Sequence, residues 1–177
     1  MQNWFRTVLV GVGWTLFSGG LAAGVAGHAD EAPLSTTVTT ACQVDRVVDG
    51  DTFYCTSGEK VRLIGIDAPE MSQAEFGRAS RSALMALLPR NARVRLEGDV
   101  TPVDRYGRTL AYVWRGRTMV NEAMIRGGWA LLYTVPPNVA YVARFRRAQE
   151  AARREQAGLW RNGGFDCQPS EHRKQRC

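Results

Sequence analysis

The chain has 177 residues, 45% of them hydrophobic and 23% charged, a composition that excludes a wholly disordered or collagen-like protein. A mean hydropathy of −0.26 excludes a polytopic membrane protein. The formal charge is +6, and all but Lys60 and Lys174 of the 23 basic residues are arginine. Such a balance favours anionic partners, nucleic acid first and an acidic membrane surface second.

The chain opens with a segment of its own character. Arg6 is the only charge before Asp30, the run from Val8 to Ala23 is apolar, and small residues lead up to Ala29. This pattern predicts a secretory signal peptide over residues 1–29, with an uncleaved N-terminal anchor as the rival reading. Residues 30–41 are rich in Ser, Thr and Pro and are expected to form a flexible linker. The folded part, 42–162, then follows, with a polar tail over 163–177.

Gln43 to Val48 alternates apolar and polar and meets Asp49-Gly50, a two-residue hairpin signal. Thr52 to Cys55 continues as a second strand. Lys60 to Ile66 predicts a third, ended by Ala68-Pro69. Phe76, Ala79, Ala83, Leu84, Leu87 and Leu88 fall at helical spacing, so a helix is predicted over 75–88, stopped by Pro89. Ala92 to Glu97 and Thr109 to Trp114 read as the fourth and fifth strands, with a turn at Asp104 to Gly107. Met119 to Arg126 predicts a short helix ended by Gly127-Gly128. A last helix is expected from Pro136-Pro137-Asn138 to about Gln156, with Asn138 as its N-cap. This element order predicts an α+β fold. Five short strands with a helix after the third match a Greek-key β-barrel of the OB type, here with three α-helices.

Four cysteines, Cys42, Cys55, Cys167 and Cys177, lie beyond the leader and allow three pairings in an oxidising compartment. Cys42–Cys55 with Cys167–Cys177 is preferred, because the first two flank a hairpin turn and the others share the tail. No CxxC spacing occurs, which disfavours zinc.

The residues suited to chemistry cluster at strand ends. Asp49 and Asp51 bracket Gly50, and Asp67 and Glu70 bracket a proline. Carboxylates at strand ends can converge on one mouth of a barrel, where two or three of them with a backbone carbonyl make a hard oxygen site for Ca²⁺. Taken singly, Asp49-Gly50 is ordinary turn chemistry and Glu70 an ordinary helix-start acid. Arg62 lies between Val61 and Leu63 on the third strand, and Arg108 follows Tyr106-Gly107. Two guanidiniums beside a metal can clamp a phosphodiester as negative charge builds on it. Singly, they read as an edge-strand charge and a solvated turn residue.

Three separated motifs, VVDGDTF at 47–53, VRLIGIDAPE at 61–70 and DRYGRTLAY at 104–112, together resemble the staphylococcal nuclease (thermonuclease) family. VNEAMIRGG at 120–128 and Gly158-Leu159-Trp160 fit it as well. The resemblance spans about Gln43 to Trp160. It implies an OB-fold barrel and Ca²⁺-dependent hydrolysis of single-stranded or denatured DNA and RNA, with 3′-phosphate products. By motif position Asp51, Asp67 and the backbone carbonyl of Ala68 resemble the calcium ligands. Glu70 resembles the general base, Arg62 and Arg108 the phosphate clamps, and Asp49 an acid placed behind the ligands. Tyr133 resembles an aromatic at the nucleotide pocket. Val135 departs from the family pattern, since a second Tyr is expected there, and the segment between Glu70 and Phe76 is short. The N-terminal segment predicts an exported protein, periplasmic or extracellular, or tethered to the membrane if that segment stays uncleaved; a monomer without an obligate protein partner is expected. The competing readings are a non-catalytic OB-fold module that only binds nucleic acid or protein, and a basic envelope-attached structural protein. Arg144, Arg146, Arg147, Arg153 and Arg154 are read as a solvated helix face.

Overall fold

A computed structural model describes residues 39–177. The expected leader over 1–29 and most of the expected linker lie outside the described residues. Among the described residues no helix is long and apolar enough to cross a membrane.

Strand β1 (Thr39–Val47) is the longest, because it serves two neighbours. Its first half pairs antiparallel with β5 (Arg93–Glu97), from Thr39 opposite Glu97 to Gln43 opposite Arg93. Its second half pairs with β2 (Thr52–Cys55), after a register shift between Val44 and Arg46. Such an irregularity bends and twists a strand, which lets it turn a barrel corner. β1 thus takes in residues 39–41, which precede the boundary expected at Cys42. Thr39 and Thr40, β-branched residues that suit a pleated surface, extend the ladder on β5 rather than joining the linker.

Strand β3 (Lys60–Leu63) pairs antiparallel with β2 and parallel with β6 (Thr109–Arg115). β6 pairs antiparallel with β5, and this closes a five-stranded mixed barrel. The alternation predicted for 92–97 is present: Arg93 and Arg95 face solvent while Val94 and Leu96 are buried. Val44, Phe53, Val61, Leu63, Ile66 and Val113 fill the interior.

The strand predicted over 60–66 stops at Leu63. Gly65 takes a left-handed backbone (φ +78), and a Cβ there would meet the Phe145 ring at 2.7 Å. The chain resumes as β4 (Ile66–Asp67), which pairs with β8 (Leu131–Leu132). Ile64, at the bend, is buried.

Helix α1 (Glu75–Leu87) follows its prediction closely. A two-residue β7 (Thr118–Met119) pairs back on β6 and leads into α2 (Val120–Arg126). Helix α3 (Val142–Arg154) begins three residues later than expected, with Tyr141 rather than Asn138 at the N-cap position. Asn138 is not its cap. The Asn138 side chain turns to Thr101, accepting from the backbone N at 2.7 Å and donating to the O at 2.8 Å. A fixed connection between the loops ahead of β6 and α3 outcompetes capping. Arg146, Arg147, Arg153 and Arg154 face solvent, while Arg144 bonds Glu122.

A 3₁₀ turn (Gly158–Asn162) and a four-residue helix α4 (Pro169–His172) complete the chain. Cys42 is bonded to Cys55 and Cys167 to Cys177, leaving no free cysteine. Two disulfides in a chain of this size fit an oxidising compartment outside the cytoplasm.

Candidate active site at the barrel rim

The loop between β1 and β2 carries the first two acids. It runs over four residues, 48–51, rather than the predicted two, and Val48 N donates to Thr52 O at 2.9 Å. Gly50 is needed for space. A Cβ there would lie 2.0 Å from Ser80 Oγ and 2.5 Å from Ala68 Cβ. The loop thus rests against α1 and against the Asp67–Ala68 segment. Asp49 Oδ1 accepts from Asp51 N at 3.0 Å, which fixes the turn. Burial, and next the Asp51 charge, push the Asp49 carboxyl up to about 6.

Asp51 and Asp67 are both buried, at 7% and 2% exposure. A buried carboxylate needs partners. Asp51 accepts from the Thr52 hydroxyl at 2.9 Å and from Ala68 N at 3.1 Å. Arg62 Nη2 lies 3.0 Å from Asp51 Oδ2 and 3.7 Å from Asp67 Oδ1. The Arg62 guanidinium also donates to Leu63 O at 2.6 Å and Ile66 O at 2.8 Å. It is therefore pinned on a strand bonded at both edges, and the edge-charge reading of Arg62 does not hold.

Glu70 opens a 3₁₀ turn (Met71–Gln73) that fills the short segment before α1. Glu70 N donates to Gln73 Oε1, and Gln73 N donates to Glu70 O, both at 2.9 Å. Gly77 lets α1 approach this turn, since a Cβ would lie 2.2 Å from Glu70 O. The Glu70 and Asp67 carboxylates share one partner, Arg173. Its Nη1 lies 2.6 Å from Glu70 Oε1 and 3.0 Å from Asp67 Oδ1, and its Nη2 lies 2.9 Å from Asp67 Oδ2. Burial pushes the Asp67 carboxyl up against the pull of Arg173, and the Asp67 pairing holds Arg173 firmly protonated.

Arg108 stands apart from the carboxylates. Asp104 holds it, with Arg108 Nε 2.7 Å from Asp104 Oδ2 and Arg108 N 3.0 Å from Oδ1. Burial pushes the Asp104 carboxyl up, but the bonds from Arg108 and Tyr106 outweigh it and hold it below the usual range. Arg108 lines the same cleft of about 510 Å³ as Arg62, together with Tyr106 and Tyr133. Val135 lines it too, where the resemblance implies a second Tyr.

The structure brings Asp51, Arg62, Asp67 and Glu70 into one ionic cluster and puts Arg108 and Tyr133 in the adjoining cleft. Among the described residues no three His, Cys, Asp or Glu side chains gather as a metal cage. Two carboxylates, a neighbouring carbonyl and water are a small, hard oxygen set, which suits Ca²⁺ at modest affinity. Among the described residues the positive partners of these carboxylates are the guanidiniums of Arg62 and Arg173, so the donor chemistry fits a cation at this point.

Three contributors escaped sequence reasoning. Asp104 stands four residues before Arg108 across a glycine turn, and that spacing could have revealed it. Asn121, fully buried, donates to Ile64 O at 2.8 Å and Ala111 O at 3.2 Å and accepts from Val113 N at 2.8 Å. Arg173 gave no local signal.

A family model described as staphylococcal nuclease homologue matches residues 60–162. The chain is 41% identical over 125 residues to a thermonuclease of Staphylococcus intermedius, covering 66% of this chain and 74% of the relative. It is 38% identical over 128 residues to a thermonuclease of Staphylococcus hyicus, covering 68% and 75%. It is 38% identical over 139 residues to an uncharacterized endonuclease of Haemophilus influenzae, covering 76% and 73%.

Proposed function

The chain belongs to the staphylococcal nuclease family and is a phosphodiester hydrolase of the thermonuclease kind; from that premise we propose an exported, Ca²⁺-dependent nuclease that cleaves DNA and RNA with little sequence preference and leaves 3′-phosphates. We read residues 1–29 as its export signal, 42–162 as the catalytic unit and 163–177 as a disulfide-closed tail. It acts as a monomer.

The observation that carries the reading is the ionic cluster itself: Arg62 bridges Asp51 and Asp67 at the edge of a cleft that Arg108 also lines. Asp51, Asp67 and the carbonyl of Ala68 are the groups that would hold the metal. A bound Ca²⁺ would supply a Lewis acid for a phosphate oxygen. Arg62, locked by two carbonyls, presents its guanidinium without having to be ordered first. Arg108, locked by Asp104, does the same from the facing turn. Charge growing on the phosphoryl oxygens in the transition state is stabilised by these fixed cations. Glu70 accepts the proton of the attacking water, and its carboxylate must be free of its present partner to do so. Tyr133, 42% exposed in the cleft, stacks a base without reading its identity. The cleft binds backbone and rings, so sequence preference stays low.

The test is release of acid-soluble nucleotides from denatured DNA, in Ca²⁺ and in chelator. Release in Ca²⁺ that chelator abolishes is expected. No release, or release indifferent to chelator, overturns the proposal.

A further inference from the structure

The tail is seated on the proposed site at three points. Gln73 Nε2 donates to Cys167 O at 2.9 Å, Ser72 Oγ and His172 Nε2 lie 2.9 Å apart, and Arg173 spans Glu70 and Asp67. The other two cations of the tail are paired within it, since Lys174 and Arg176 both bond Glu171 at 3.1 Å. Only Arg173 is directed into the carboxylate cluster. It takes both oxygens of Asp67 in a two-point fork, the strong geometry for a guanidinium and a carboxylate.

A divalent cation on Asp67 would face this guanidinium at contact distance, and like charges at that range repel by several times thermal energy even in a well-solvated site. One of the two must leave. The tail is the part built to move. Of residues 167–177 only Pro169 is buried, and segments with so few buried contacts open at low cost. The disulfide between Cys167 and Cys177 closes the segment that carries Arg173. This ring limits its reach and keeps the guanidinium at high effective concentration beside Asp67. The residues matched by the family model run from 60 to 162, and the tail lies beyond them.

We propose that the C-terminal tail is an autoinhibitory strap, in which Arg173 occupies the cation position as an intramolecular competitor. Metal and phosphodiester enter when the tail swings away, and Glu70 regains its free carboxylate in the same movement. This rests on the proposal that Asp51 and Asp67 are the cation ligands.

The experiment is calorimetric titration of Ca²⁺ alone into the full chain and three variants, Arg173→Ala, Cys167→Ser/Cys177→Ser and Asp67→Asn, with amide hydrogen exchange across 167–177 as a second readout. Arg173→Ala is expected to bind Ca²⁺ about tenfold or more tightly than the wild type, and the double serine variant to bind more tightly by a smaller factor. Saturating Ca²⁺ should speed exchange of the tail amides in the wild type. If Asp67→Asn abolishes binding while Arg173→Ala binds no better than the wild type, the strap is overturned and the cation site stands. Tail exchange unchanged by saturating Ca²⁺ also overturns the strap. If no variant and no wild type binds Ca²⁺, the cation site falls and the strap with it.

Discussion

Asn121→Ala should be among the costliest single truncations in this protein. The side chain is fully buried and makes three hydrogen bonds, two as donor and one as acceptor. Truncation leaves Val113 N and Ile64 O without those partners, whereas Ala111 O still accepts from Ile64 N. Each orphaned buried group costs about 1–3 kcal/mol, so the sum for the two is about 2–6 kcal/mol. A domain of this size has about 5–15 kcal/mol in all. Urea unfolding, with disulfides intact and metal chelated, should show a lower midpoint at an unchanged slope. Asn121→Asp keeps the acceptor for Val113 but sets a carboxylate against two carbonyls, and should lose at least as much. Ile64 lies between Arg62 and the Ile66 carbonyl that Arg62 bonds, so nuclease rate should fall as well. A loss below about 1 kcal/mol in Asn121→Ala would refute the reasoning.

Gly50→Ala forces a methyl against Ser80 and Ala68 and should cost about 1–3 kcal/mol, with Ser80→Gly restoring part of it in a double-mutant cycle by urea unfolding. Asp49 binds its proton more tightly folded (about 6) than unfolded (3.8), so its contribution to stability falls as pH rises through that window. Asp49→Asn should therefore gain stability over the wild type at pH 7.5 but not at pH 4, measured in chelator; equal differences at both pH values would remove the effect. Glu70→Gln and Arg108→Ala should each lower the nuclease rate ~10²-fold or more with little change in unfolding midpoint, as expected for a lost base or charge clamp. Wild-type turnover in either variant takes that residue out of the mechanism.

What was readable from sequence was local. Val94 and Leu96 announce a half-buried strand because period two is written in adjacent residues. The acids at 49, 51, 67 and 70 are flagged by the glycine and proline beside them. The break at Gly65 was not readable, because it is set by the Phe145 ring, 80 positions away, and no local pattern carries that contact. The start of α3 failed for the same reason: Asn138 has capping chemistry, but Thr101 claims it. Arg173 is the extreme case. It stands beside Lys174 in a polar stretch that reads as solvated, and its partners lie 103 and 106 positions upstream. Side-chain chemistry can be listed from a sequence; which groups compete for one another is decided by the fold.

The parallel pairing of β3 with β6 has a consequence for the life of the protein before it is folded. Val61 opposite Thr109 is what carries Arg62 and Arg108 into one cleft. A pairing of such sequence separation meets a large loop-closure cost before it returns any contact, and so belongs to the slow part of barrel assembly. Until that seam zips, the two arginines belong to unrelated stretches of chain and nothing can grip a phosphodiester. Folding is itself a safety catch: the cleft shared by the two arginines does not exist in the nascent polypeptide.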